Sequence, residues 1–223
     1  MIRRQRKKGL FKIIGLMGML SFVTSCQLPG PPNTRPQKAN FVSLDPHNWI
    51  ILYSSGMPQN PSADLAGAWS FHFPSYEAGG HVNYVQTPFN KTTTLRNVTI
   101  TFTVESDDPR YHVMDDKDHL PATFHVFMER QNDNLEAEGG RFWAQPSKYN
   151  LGSDDNHQIT ITVPLTSDCW TDVDGKNNSD SFQDLLKNIG WIGITFGGQF
   201  FFGHGVALAG GSAKFVLVDF FVN

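Results

Sequence analysis

The chain has 223 residues, 39% of them hydrophobic and 13% aromatic, too apolar for a disordered protein and long enough to bury a sizeable core. Its 18 basic and 21 acidic residues give a formal charge of −3, which argues against a nucleic-acid binder. Two cysteines are too few for a disulfide framework.

The first residues carry Arg3, Arg4, Arg6, Lys7 and Lys8, with no acid before Cys26. A largely apolar stretch over residues 10–23 follows, broken by Lys12, two glycines and Ser21. As a helix it would span about 21 Å, short of the roughly 30 Å hydrocarbon core, so it reads as the h-region of an export signal rather than a membrane span. Val23-Thr24-Ser25-Cys26 resembles the bacterial lipobox. That resemblance implies a diacylglyceryl lipid on the Cys26 thiol, cleavage just before it, and a protein held at the bacterial cell envelope. The site would be the outer membrane of a Gram-negative cell or otherwise the outer face of the cell membrane. Cleavage would remove residues 1–25 and with them six basic residues and no acid, leaving a charge of −9. The lipid, not a basic patch, would then hold the protein at the membrane, and nucleic acid is excluded as a partner. Cys169 is expected to be buried.

Residues 26–40, with four prolines and a glycine, cannot bury apolar surface and read as an extended tether. Residues 41–223 are expected to form one domain. Within it apolar residues alternate with polar ones at the period of strands that bury one face and show the other to water. Trp69, Phe71 and Phe73 set one such register; Val98, Ile100, Phe102 and Val104 another. Phe124, Val126 and Met128 alternate with His125, Phe127 and Glu129, and Ile159, Ile161 and Val163 with threonines. Residues 191–196 and 215–222 are apolar on both faces, which predicts central strands covered on the second side. One short helix is predicted near 180–189, capped by Ser179-Asp180-Ser181, with Phe182, Leu185, Leu186 and Ile189 at helical spacing before Gly190. Many short strands and one helix predict an all-β, two-sheet antiparallel sandwich, a jelly roll first and a closed eight-stranded barrel second.

The words Trp170-Thr-Asp-Val-Asp-Gly175, Ile192-Gly-Ile-Thr-Phe-Gly-Gly198, Phe202-Gly-His-Gly-Val206 and Phe215-Val-Leu-Val-Asp-Phe-Phe-Val222 carry a second resemblance. They are similar to secreted bacterial β-sandwiches of the jelly-roll, galactose-binding-like plan of carbohydrate-binding modules. The resemblance implies a fold, with glycan as the expected partner and a structural calcium beside the last strand, and it implies no binding residue.

Candidate site residues come from the chain itself. In Gly140-Arg-Phe-Trp-Ala-Gln-Pro146, Phe142 and Ala144 point to the core, which leaves Arg141, Trp143 and Gln145 on an outer face. An exposed indole flanked by a guanidinium and an amide suits the apolar face and hydroxyl rim of a sugar. His125 and Phe127 would share that kind of face. His204, in a glycine-flanked aromatic loop, is a further ligand candidate, although bonding to loop carbonyls accounts for it more simply. Asp219 stands inside an apolar strand, and a buried carboxylate there needs a cation or several donors. The acid groups Asp115, Asp116 and Asp118, and Asp172 and Asp174 with Asn177 and Asn178, do not fit an EF-hand. No Gly-x-Ser-x-Gly, His-Glu-x-x-His or phosphate loop is present, and the reading is a non-catalytic envelope protein. A sandwich glycosidase or lyase and a structural envelope protein are the alternatives. Paired carboxylates in a cleft would favour the enzyme, and an aromatic-lined face the binder.

Overall fold

The computed structural model describes residues 40–90, 95–114, 121–133, 140–198 and 204–223. The residues read as an export signal and tether, 1–39 with Cys26 among them, lie outside these, as do Asp115, Asp116 and Asp118.

Among the described residues there are twelve strands: β1 (Asn40–Phe41), β2 (Ile50–Leu52), β3 (Ser62–Ala63), β4 (Trp69–His72), β5 (Tyr84–Pro88) and β6 (Asn97–Val113), followed by β7 (Thr123–Arg130), β8 (Arg141–Asn150), β9 (Gln158–Pro164), β10 (Trp170–Thr171), β11 (Ile189–Gly197) and β12 (Val206–Val222). One sheet has the order β3-β4-β12-β6-β9, with β1 also on β12; the other is β10-β8-β7-β11-β5-β2. Every pairing within these sheets is antiparallel. Take β4 to β9, β11 and β12 as the eight long strands. One sheet then holds the first, eighth, third and sixth, and the other the second, seventh, fourth and fifth. That is the jelly-roll order, and the chain is a two-sheet β-sandwich.

The alternation explains why the sheets pack. Val98, Ile100, Phe102 and Val104 are at most 1% exposed, as are Phe124, Val126 and Met128 on the facing sheet. Across the gap Phe102 meets Phe124 edge-on at 4.5 Å, and within its own sheet Phe102 stacks on Phe215 at 5.5 Å. Phe71 meets Phe196 edge-on at 5.7 Å, and Trp49 meets Trp69 at 4.8 Å. Such aromatic contacts add to the area buried and fix ring orientation.

The helix, α1, spans Ser179–Lys187. Its cap is Asn178, whose side chain accepts from the Ser181 amide at 3.2 Å, rather than one of the serines. Phe182 and Leu185 bury as predicted, whereas Ile189 already belongs to β11. Phe182 packs against Phe142 at 5.2 Å and Trp170 at 5.7 Å, closing one end of the sandwich, and Cys169 is buried beside them.

Both strands are central to their sheets, as predicted. The outer face of β11 carries Trp191, Gly193 and Thr195, of which Gly193 and Thr195 are buried, so that strand is covered on its second side. In β12 a bulge between Leu217 and Asp219 shifts the phase, so that Val218 and Asp219 both lie outside while Leu217 and Phe220 are fully buried. Asp219 is accordingly half-exposed and not the buried carboxylate that was expected. Among the described residues no group of three or more His, Cys, Asp or Glu side chains could hold a metal ion. Asp172 is a structural acid: its Oδ1 accepts from the amides of Asp174 at 3.0 Å and Lys176 at 2.9 Å, closing the turn.

Candidate functional site

Register places the site. On the outer face of the β10-β8-β7-β11-β5-β2 sheet, Leu52, Tyr84, Thr195 and His125 stand in one row. Gln86, Gly193, Phe127, Trp143 and Thr171 make the next, and Pro88, Trp191, Glu129 and Arg141 the third. A Cβ on Gly193 would come within 2.2 Å of the Val85 carbonyl oxygen, so glycine is required where β5 and β11 approach. Without a side chain there, Tyr84 reaches across to Phe127, ring to ring at 5.2 Å.

The phasing of β8 is as predicted: Phe142 and Ala144 are fully buried in the core and Trp143 faces the other way. The expected exposure is not. Trp143 is 2% exposed and forms a second apolar cluster with Tyr84 and Phe127. His125 is fully buried too, and burial pushes its imidazole down to about 4, so it is neutral at pH 7. Its Nδ1 lies 3.1 Å from the Ala144 carbonyl and 3.2 Å from the Gln145 amide nitrogen, and its Nε2 lies 3.1 Å from the Thr123 hydroxyl. Arg141 turns its guanidinium to Asp133, Nε to Oδ2 at 3.1 Å. Arg141, Trp143, Gln145, His125 and Phe127 are thus brought together, largely beneath the surface. His204 is exposed and stands apart, next to Gly205, whose amide donates to the Phe196 carbonyl at 2.9 Å.

The accessible part of this face lies towards β5 and β2. Tyr53, Tyr84, Gln86, Glu129, Asp133 and Trp191 line a cleft of about 250 Å³ there. Tyr53 is 59% exposed, and its ring meets Tyr84 edge-on at 5.7 Å. Its φ is +50°, a left-handed conformation that costs a non-glycine residue on the order of 1 kcal/mol. The surrounding bonds hold it there: His81 Nε2 lies 3.1 Å from the Tyr53 carbonyl, and Ser55 and His81 exchange two backbone hydrogen bonds of 2.9 Å.

Two carboxylates share the cleft. Glu129 is 5% exposed; burial first, and the Asp133 charge second, push it up to about 7 despite a hydrogen bond from Gln86 and the nearby Arg141. The Asp133 side chain is fully buried, and among the described residues no hydrogen-bond donor reaches either of its oxygens, Arg141 supplying charge alone. Of these residues sequence reading had placed only Glu129 on an outer face. Trp191 was legible from its phase against Ile192 and Ile194, but Tyr53 lies beyond a strand end, where alternation gives no signal.

No family model matches the chain, and no curated protein matches it. Among solved structures it is similar to a xylan-binding module, CBM15, with 13% identity over 82% of this chain and 98% of that one, at a TM-score of 0.42. A likeness so distant carries no ligand or residue across.

Proposed function

We propose that the chain is a lipid-anchored protein of the bacterial cell envelope whose β-sandwich binds a glycan in the cleft between Tyr53 and Trp191. The observation behind the binding reading is the make-up of the cleft: aromatic rings for the apolar face of a sugar, and an amide and carboxylates for its hydroxyl rim. A strained, exposed tyrosine supports it, because strain of that kind gathers at working sites. Screening the purified protein on a glycan array, then repeating the screen with Tyr53→Ala and Trp191→Ala, tests it. Each change should weaken binding of an array hit about tenfold or more. Unchanged affinity in both variants would overturn the placement.

The anchor rests on the order of charged, apolar and small residues before Cys26. Mass spectrometry of the N-terminal peptide from a bacterial host should find an acylated Cys26. Cys169 is disulfide-bonded in the structure, so the lipid and a disulfide compete for the chain's other thiol; an unmodified Cys26, or one joined to Cys169, would overturn the anchor.

A second reading, a glycosidase, draws on the same two carboxylates. Glu129, pushed up to about 7, could protonate a leaving oxygen, with Asp133 the second carboxylate beside the cleft. Reducing ends released by the parent protein and not by Glu129→Gln would favour that reading over binding alone.

A further inference from the structure

Two acids and three aromatic rings face one small space, and among the described residues that line it none is basic. Arg141 lies against Asp133, leaving the two carboxylates with one guanidinium between them. Asp133 is fully enclosed, yet among the described residues its oxygens accept no hydrogen bond. A buried carboxylate without donors is costly, and a ligand that brings N–H donors and positive charge relieves that cost. Tyrosine and tryptophan faces attract the same kind of group through their ring quadrupoles. A ligand carboxylate would meet repulsion from both acids.

We propose that the cleft recognises an ammonium-bearing sugar, a 2-amino-2-deoxyhexose unit with a free amine, held by Glu129 among the rings of Tyr53, Tyr84 and Trp191, with the enclosed Asp133 adding its charge from behind. This rests on the glycan reading above and names its ligand class. A cleft of about 250 Å³ is smaller than the usual pocket for a drug-sized ligand, which fits a single ring of a chain rather than a long groove.

The test uses the full chain purified in detergent and titrated calorimetrically with four tetrasaccharides: β-1,4-linked glucosamine, its N-acetylated counterpart, a neutral xylose oligomer and a galacturonate oligomer. Glucosamine should bind at least tenfold tighter than its N-acetylated form, and galacturonate weakest of all. In Glu129→Gln and Asp133→Asn the preference for the free amine should fall to within about threefold. Because the chain is acidic overall, diffuse attraction is a rival explanation; a preference that survives both substitutions would mean that, and would overturn the proposal. Equal or tighter binding of the neutral or N-acetylated oligomers would overturn it too while leaving the glycan reading standing. Failure of all four to bind would remove both.

Discussion

Trp143 and Phe127 are directly opposed across β8 and β7, ring centroids 5.3 Å apart, on the side of the sheet turned away from the main core. With Tyr84 they make a second, smaller apolar cluster, so this sheet buries residues on both faces. Trp143→Ala should therefore cost stability, about 3–5 kcal/mol, the range for removing a large enclosed aromatic side chain. Chemical denaturation of the variant measures this. A loss below about 1 kcal/mol would mean that the indole is an exposed plate after all.

Glu129 and His125 lie on the same face and depart from their ordinary values in opposite directions, with opposite consequences for stability. Glu129 rises from 4.5 to about 7, so the folded state holds a proton that the unfolded chain has released; stability falls as pH climbs through that window. His125 drops from 6.5 to about 4, so the unfolded chain takes up a proton that the folded one refuses; stability falls as pH drops from 6.5 towards 4. Glu129→Gln removes the first effect alone. Relative to the parent, its stability to chemical denaturation should rise from pH 4.5 to 7 and level off above, a gain on the order of 3 kcal/mol. A pH-independent difference would show that Glu129 ionises as an exposed acid does.

Tyr53 separates backbone strain from ligand contact. Tyr53→Ala keeps the left-handed backbone and loses the ring; Tyr53→Gly loses both ring and strain. The glycine variant should be the more stable of the two by about 1 kcal/mol, while both lose binding equally. Thermal melting beside titration decides this, and a glycine variant less stable than the alanine one would mean that the +50° conformation is not strained.

Asp219→Ala should change stability by no more than about 0.5 kcal/mol, as for a half-exposed residue without a structural role. Chelators should leave the melting temperature of the parent protein unchanged. A drop on chelation would reinstate a metal near the last strand.

Much of the fold was legible because period-two alternation is a direct consequence of strand geometry. Val98 to Val104 and Phe124 to Met128 sit on the core side in the phase the sequence implies. What alternation cannot show is a change of phase. The bulge before Asp219 turns a residue read as internal to the outside. Nor does it say whether the second face is covered: His125, Phe127 and Trp143 alternate as surface residues and are buried. The cleft was the least legible part. Tyr53, Tyr84, Glu129 and Trp191 come from four separate stretches of chain and meet only through register, and Tyr53 stands there through a backbone conformation that no side-chain pattern encodes.

The last strand occupies the middle of its sheet, with β4 on one side at Phe71–Phe215 and β6 on the other along most of its length. Assembly therefore cannot finish until residues 206–222 have been delivered, since before then β4 and β6 have no strand between them. A chain with so many partners distant in sequence is expected to fold slowly. Loss of even the final few residues should leave unsheathed strand edges prone to aggregation, rather than a slightly shorter working protein.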